Sequence, residues 1–218
     1  MKRYSIIRSF CVLVTLSWCM ISCDGFLKES PRDALPEEEG YRNITELYLN
    51  AVASLYNYIG GNSDSQGLQG TGRGIYDLNT FTTDEAIMPT RGGDWYDGGF
   101  WQGLFLHKWG INNDAIQATW EYLYKVVMLS NKSLEQIESY ALTHADAELP
   151  AYRAEVRALR AMYYYYLTDL FGSIPLVLSS KVASKDIVLS ERENIFNFIF
   201  KELQELSLIH ISEPTRPY

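Results

Sequence analysis

The thirteen residues from Pro89 to Trp101, PTRGGDWYDGGFW, gather the side chains best suited to holding a small polar ligand. Trp95, Tyr96 and Trp101 offer flat apolar rings, and Arg91, Asp94 and Asp97 set hydrogen-bonding groups between them. A sugar presents both matching surfaces: C–H faces that pack on rings, and hydroxyls that exchange hydrogen bonds with guanidinium and carboxylate groups. Large aromatic residues also have a plainer use, plugging a loop onto a core, and Trp95 and Trp101 fit either role on sequence alone. Gly92-Gly93 and Gly98-Gly99 let the segment bend, but with no expected helix after them and without the right spacing they do not make a phosphate loop.

Other polar clusters are weaker. Asp84 and Glu85 stand side by side in Phe81-Thr82-Thr83-Asp84-Glu85-Ala86, which suggests acid–base work or metal binding. Neighbours in sequence seldom face one cleft, and glycoside cleavage needs two carboxyls placed across a sugar ring. A turn held by Asp84 accounts for the pair better. His107, His144 and His210 are scattered without zinc-ligand spacing. No Ser-His-Asp arrangement or nucleophile elbow is present. The expectation is a protein with no catalytic residue, metal or cofactor.

The N-terminus carries a different chemistry. Lys2, Arg3 and Arg8 precede an apolar run from Phe10 to Ile21, too short for a comfortable membrane span and suited to a signal-peptide core. The run ends in Met20-Ile21-Ser22-Cys23, similar to a lipobox, so residues 1–22 read as a leader and Cys23 as the lipidated first residue of the mature chain. All three cysteines (Cys11, Cys19, Cys23) lie here, which leaves no disulfide framework for the rest. Several acyl chains on one cysteine would anchor the protein firmly. Without the leader and the last 13 residues, 15 basic residues face 26 acidic ones, a net charge of about −11. Such a balance argues against nucleic acid as a partner, since phosphates need a basic patch. Neutral sugars would not be repelled.

The elements that must position the loop are helical. Residues 23–40, with Pro31, Pro36 and Glu37-Glu38-Glu39, read as a tether. Ile44, Leu47, Tyr48, Val52, Leu55 and Tyr56 recur at helical spacing and predict a helix over about 43–58, closed by Gly60 and Gly61. From 60 to 110 glycines are dense and the periodicity fades, which predicts a long Gly/Trp-rich loop excursion. The spacing of Ile116, Trp120, Leu123, Val127, Leu134 and Ile137 restores a helix over about 113–140, and Trp120-Glu121-Tyr122-Leu123 matches the opening of a tetratricopeptide repeat. In the next helix Ala154, Ala158, Ala161 and Tyr165 form a small-residue stripe beside a bulkier one of Leu159, Tyr163, Tyr166 and Leu170, with Gly172 in the left-handed C′ position and Pro175 beyond. Ser190 and Glu193 read as a capping box for a further helix, whose stripe Ile195, Phe196, Ile199 and Phe200 would lie exposed.

The order of residues from Tyr152 to Val177, YRAEVRALRAMYYYYLTDLFGSIPLV, strongly resembles the signature helix of SusD-like (SusD/RagB) outer-membrane lipoproteins of Bacteroidetes. Phe81–Trp101 and Ile111–Ile137 carry the resemblance less specifically. It implies a mainly α fold of tetratricopeptide-like helix pairs, an α-solenoid, over residues 41–205. It further implies a cell-surface protein, anchored through Cys23, that binds an oligosaccharide without cleaving it. That ligand would pass to a SusC-like, TonB-dependent barrel. The alternatives are a lipid-anchored glycan hydrolase and a tetratricopeptide-like scaffold with a protein ligand. Residues 206–218 stand apart: LSLIHISEPTRP resembles the conceptual translation of a sequencing adapter, so native sequence is expected to end near Glu205. The chain would then be an N-terminal fragment.

Overall fold

The structure, a computed structural model, describes residues 41–61, 67–68 and 74–212. The leader, Cys23 and the tether lie outside the described residues. The chain enters its first helix through Asn43, whose Oδ1 accepts the Glu46 N–H at 2.9 Å while Glu46 Oε2 accepts the Arg42 N–H at 3.1 Å. Helix α1 (Ile44–Leu47) passes through a π segment (Tyr48–Ala53) into α2 (Ser54–Gly60). The π segment helps to bring Leu47, Ala51, Val52 and Leu55 all into the core.

The expected long loop contains two short helices, α3 (Ile75–Phe81) and α4 (Phe100–Phe105), with a 3₁₀ turn at Asp97–Gly99 just before α4. Periodicity could not reveal helices of six or seven residues. They form a small core of their own, in which Leu78, Trp101, Leu104 and Ala115 are buried, with Phe81, Met88, Phe100 and Ile116 packed around them.

Helix α5 (Asp114–Ala141) starts where the sequence places it: Asn113 Oδ1 accepts the N–H groups of Ala115 and Ile116 at 3.1 and 3.2 Å. Helix α6 (Leu149–Phe171) returns antiparallel to it, as the contacts Tyr122–Tyr163, Asn131–Arg160 and Glu138–Arg153 show by running in opposite directions along the two helices. Helix α7 (Arg192–Ser212) returns along α6 in turn, with Phe198 against Tyr164 and Glu202 against Arg157 and Arg160. The main core collects Leu47, Leu55, Leu123, Val127, Val156, Tyr163 and Ile195 among others, so it joins the first helix to the three long ones.

The small-residue stripe of α6 is only partly an interface: Ala154 and Ala161 are buried, whereas Tyr165 is 56% exposed. Gly172 does close α6 with a positive φ of 75°, but its ψ of −111° lies outside the left-handed helical well. Strand β1 (Ile174–Pro175) then pairs with β2 (Leu189–Ser190). Ser190 therefore sits in a strand and not in a capping box. The carbonyl of Glu191 accepts from Asn194 and Ile195, and α7 begins one residue later. Its stripe is split. Ile195 and Ile199 are buried, while Phe196, Phe200 and Leu203 remain exposed. The helix continues past Glu205 to Ser212, through residues expected to be foreign, with Leu206 buried.

Buried polar groups wire these helices together. Tyr164 Oη donates to the Val177 carbonyl at 2.7 Å and accepts the Val177 N–H at 2.8 Å. Asn131 Nδ2 donates to the same carbonyl at 2.8 Å, and Arg160 donates to Asn131 Oδ1 at 2.9 Å. Arg160 and Arg157 both donate to Glu202, at 3.1 Å from Arg160 and 2.7 and 3.1 Å from Arg157. Burial pushes the Glu202 carboxyl up, but the two guanidiniums outweigh it and hold the group below its usual 4.5. Burial likewise pushes the phenols of Tyr122 and Tyr164 up to about 12, so both stay neutral donors.

Candidate functional site

The loop from Pro89 to Trp101 begins with a tight reversal. Arg91 and Asp94 exchange both backbone hydrogen bonds, at 3.2 and 3.0 Å, around Gly92 and Gly93 with φ of 61° and 99°. Two positive φ values in succession demand glycine, and a side chain added at either would meet open space, so conformation alone selects it. Positive φ continues at Trp95 (59°), Asp97 (44°), Gly98 (65°) and Gly99 (85°). For Trp and Asp this is strained backbone that the surroundings must hold, at about 1–3 kcal/mol each.

Trp101 does the holding. It is 3% exposed, with Phe81 at 5.1 Å and Phe100 at 4.9 Å in edge-to-face contact. Its indole N–H, which burial would otherwise leave unmade, donates to Asp97 Oδ2 at 2.8 Å. The two tryptophans thus part company. Trp101 is the plug, and Trp95, 51% exposed, leans on it with ring centroids 6.4 Å apart. Tyr96 is 53% exposed, and its carbonyl accepts the Gly99 N–H at 2.7 Å. Arg91 and Asp94 are exposed as well. Trp101 is buried, and one carboxylate oxygen of the exposed Asp97 accepts its indole N–H. The outward surface includes Trp95 and Tyr96 together with Arg91, Asp94 and Asp97.

The segment before the loop is a turn, as expected, but Asp84 does not hold it. Thr82 Oγ1 donates to the Leu78 carbonyl at 2.6 Å, Thr83 Oγ1 donates to the Thr80 carbonyl at 2.7 Å, and Thr83 Oγ1 accepts the Glu85 N–H at 3.2 Å. Asp84 and Glu85 lie exposed. The Gly98-Gly99 pair does precede a helix, α4, yet one of only six residues. His107 is a residue whose place sequence reasoning missed. Its Nε2 contacts the Thr82 carbonyl at 2.7 Å and its ring meets Trp109 at 5.2 Å, tying the end of α4 to the end of α3. Among the described residues no cluster of His, Cys, Asp and Glu could hold a metal ion, and no helix is long and apolar enough to cross a membrane.

Residues 26–203 match the profile of a SusD-like family described as starch-binding and associating with the outer membrane. Among curated proteins the chain is similar to SusD-like protein P25 of Formosa agariphila, 25% identical over 91% of this chain and 37% of that protein. It is 26% identical to the starch-binding protein SusD of Bacteroides thetaiotaomicron, over 91% of this chain and 35% of that one. The chain therefore spans about a third of the length of these relatives. Among solved structures its fold is similar to a laminarin-binding SusD-like protein, with a TM-score of 0.58, 20% identity and coverage of 76% of this chain and 34% of that one. A SusD superfamily protein from Bacteroides fragilis gives a TM-score of 0.60 at 19% identity, over 76% and 39% of the two chains.

Proposed function

The chain belongs to the SusD-like family of outer-membrane-associated, starch-binding proteins, and from that premise we propose that it is part of a surface lipoprotein that captures an oligosaccharide and hands it to a SusC-like, TonB-dependent barrel. Cys23 carries the lipid, residues 1–22 are removed, and residues 23–40 are the tether. The protein binds without covalent chemistry, and its ligand is a glycan, not a nucleic acid. The observation that carries this reading is the exposed pair Trp95 and Tyr96 beside Arg91 and Asp94, raised on a loop whose base is plugged into a core. Rings for C–H faces and charged groups for hydroxyls are what a sugar requires.

Two experiments test it. The full chain, run through native gels containing laminarin or soluble starch, should be retarded by at least one of them. Retardation by neither, together with capture of peptide ligands, would refute glycan binding. Crosslinking in the outer membrane should join the lipoprotein to a TonB-dependent barrel, and recovery of the uncrosslinked protein alone would refute the delivery step.

A further inference from the structure

Resting on the reading that this loop binds glycan, we infer that Asp97 is a positioning residue: by accepting the Trp101 indole N–H it holds Trp95 and Tyr96 in their outward-facing arrangement. Six of the eight residues from Gly92 to Gly99 have positive φ, two of them the non-glycines Trp95 and Asp97. Beyond the Arg91–Asp94 bridge and the short 3₁₀ turn at Asp97–Gly99, the segment has no ladder or helix to keep it in place. Its near end is closed by the two backbone bonds between Arg91 and Asp94. Its far end is closed by the Tyr96 carbonyl, which accepts the Gly99 N–H at 2.7 Å, and is tied to the core by a side chain, through the 2.8 Å bond from Trp101 Nε1 to Asp97 Oδ2 across the Gly98-Gly99 step.

Trp101 is fixed between Phe81 and Phe100 and wholly surrounded, so whatever is tied to it is fixed too. Asp97 follows Tyr96 directly and stands two residues from Trp95. Trp95 itself rests on the Trp101 ring. The clasp therefore sets the orientation of both exposed rings, and it asks of residue 97 only an acceptor oxygen at the right reach. Asparagine supplies one. Alanine does not.

The test uses the full chain with tryptophan labelled at the indole nitrogen, and laminarin and soluble starch as probes. Asp97→Ala and Trp101→Phe each remove one half of the clasp while the ring of the plug remains in the second. Both should shift the Trp95 indole resonance. Each should weaken polysaccharide binding by about tenfold, with the double variant no weaker than either alone, because the two changes break one interaction. Asp97→Asn should restore affinity to within about twofold, since the amide oxygen can accept the same hydrogen bond. A residue that merely stabilised the fold would shift the melting temperature without this pattern of non-additivity and rescue.

Two results overturn the inference. One is a Trp95 resonance unmoved in both single variants. The other is weakened binding in Asp97→Ala with normal binding in Trp101→Phe, which would make Asp97 a direct ligand contact. Failure of the underlying reading looks different: Trp95→Ala would leave polysaccharide affinity unchanged, while the indole resonances still report the clasp intact in the wild type and broken in the variants.

Discussion

Replacing Trp95 and Trp101 by alanine, one at a time, separates binding from support. Trp101 loses nearly all of its surface to the protein interior, and its removal leaves a cavity among Phe81, Phe100, Leu78 and Leu104. Large core deletions of this kind cost about 3–5 kcal/mol. For a domain of this size each kcal/mol moves the melting point by about 2–4 °C, so Trp101→Ala should melt about 6–20 °C lower. Trp95 is half exposed, and water fills the space it leaves. Only part of the transfer term is lost and no cavity is made, so Trp95→Ala should cost at most about 2 kcal/mol of stability. Its effect belongs to the ligand. Stacking one ring on a sugar contributes about 1–3 kcal/mol, by analogy with stacking on nucleic-acid bases, which is about fivefold to a hundredfold in affinity. Calorimetry with the retarding polysaccharide and a thermal melt, on both variants, complete the assay. A large melting shift for Trp95→Ala with unchanged affinity per folded molecule would make Trp95 structural and refute the reasoning.

Tyr164→Phe removes both hydrogen bonds to Val177 from a fully buried position and should destabilise the fold by about 1–3 kcal/mol, read from chemical denaturation. Glu202→Ala leaves Arg160 buried without its carboxylate and should cost about 3–5 kcal/mol at pH 7. Because the Glu202 carboxyl is held below 4.5, its contribution is fully present above that pH and lost as the pH falls beneath it. The stability gap between wild type and Glu202→Gln should therefore narrow below about pH 4.5, and a gap independent of pH would contradict the ion pairing. Cys23→Ser should release the protein from the membrane fraction, and mass spectrometry of the wild type should find lipid on Cys23 as the first residue.

The long helices were legible because they obey one rule over many turns. Helix α5 begins at Asp114, close to the expected start, and the 3.6-residue rhythm of Leu123, Val127 and Ile137 buries all three. The short helices α3 and α4 escaped, since six or seven residues carry too little rhythm to register. The capping box at Ser190 failed for another reason. Its local pattern was sound, but pairing of Ser190 with Ile174 across the two-stranded sheet took the residue first. Tertiary pairing overrode a local signal that no neighbouring residue contradicted.

The candidate site shows the limit more sharply. Residue types alone placed six side chains in one group, and the structure divides them by a single hydrogen bond. Nothing in the order Asp-Trp-Tyr-Asp-Gly-Gly-Phe-Trp says which tryptophan turns inward. That choice is made by Phe81, sixteen residues ahead of Asp97 in the chain, by Leu78 on the same helix and by Ala115 on α5, which complete a socket for one indole and not the other. Once Trp101 fills it, its N–H needs an acceptor, Asp97 is the carboxylate one helical turn back, and Gly98 and Gly99 between them permit the turn. Trp95 is then left outside by exclusion. The same logic acts in α6, where four consecutive tyrosines divide into two that are fully buried and bonded, one exposed and one intermediate, each according to the helix it faces. The sequence names the residues able to bind or to plug, and the long-range packing assigns which does which.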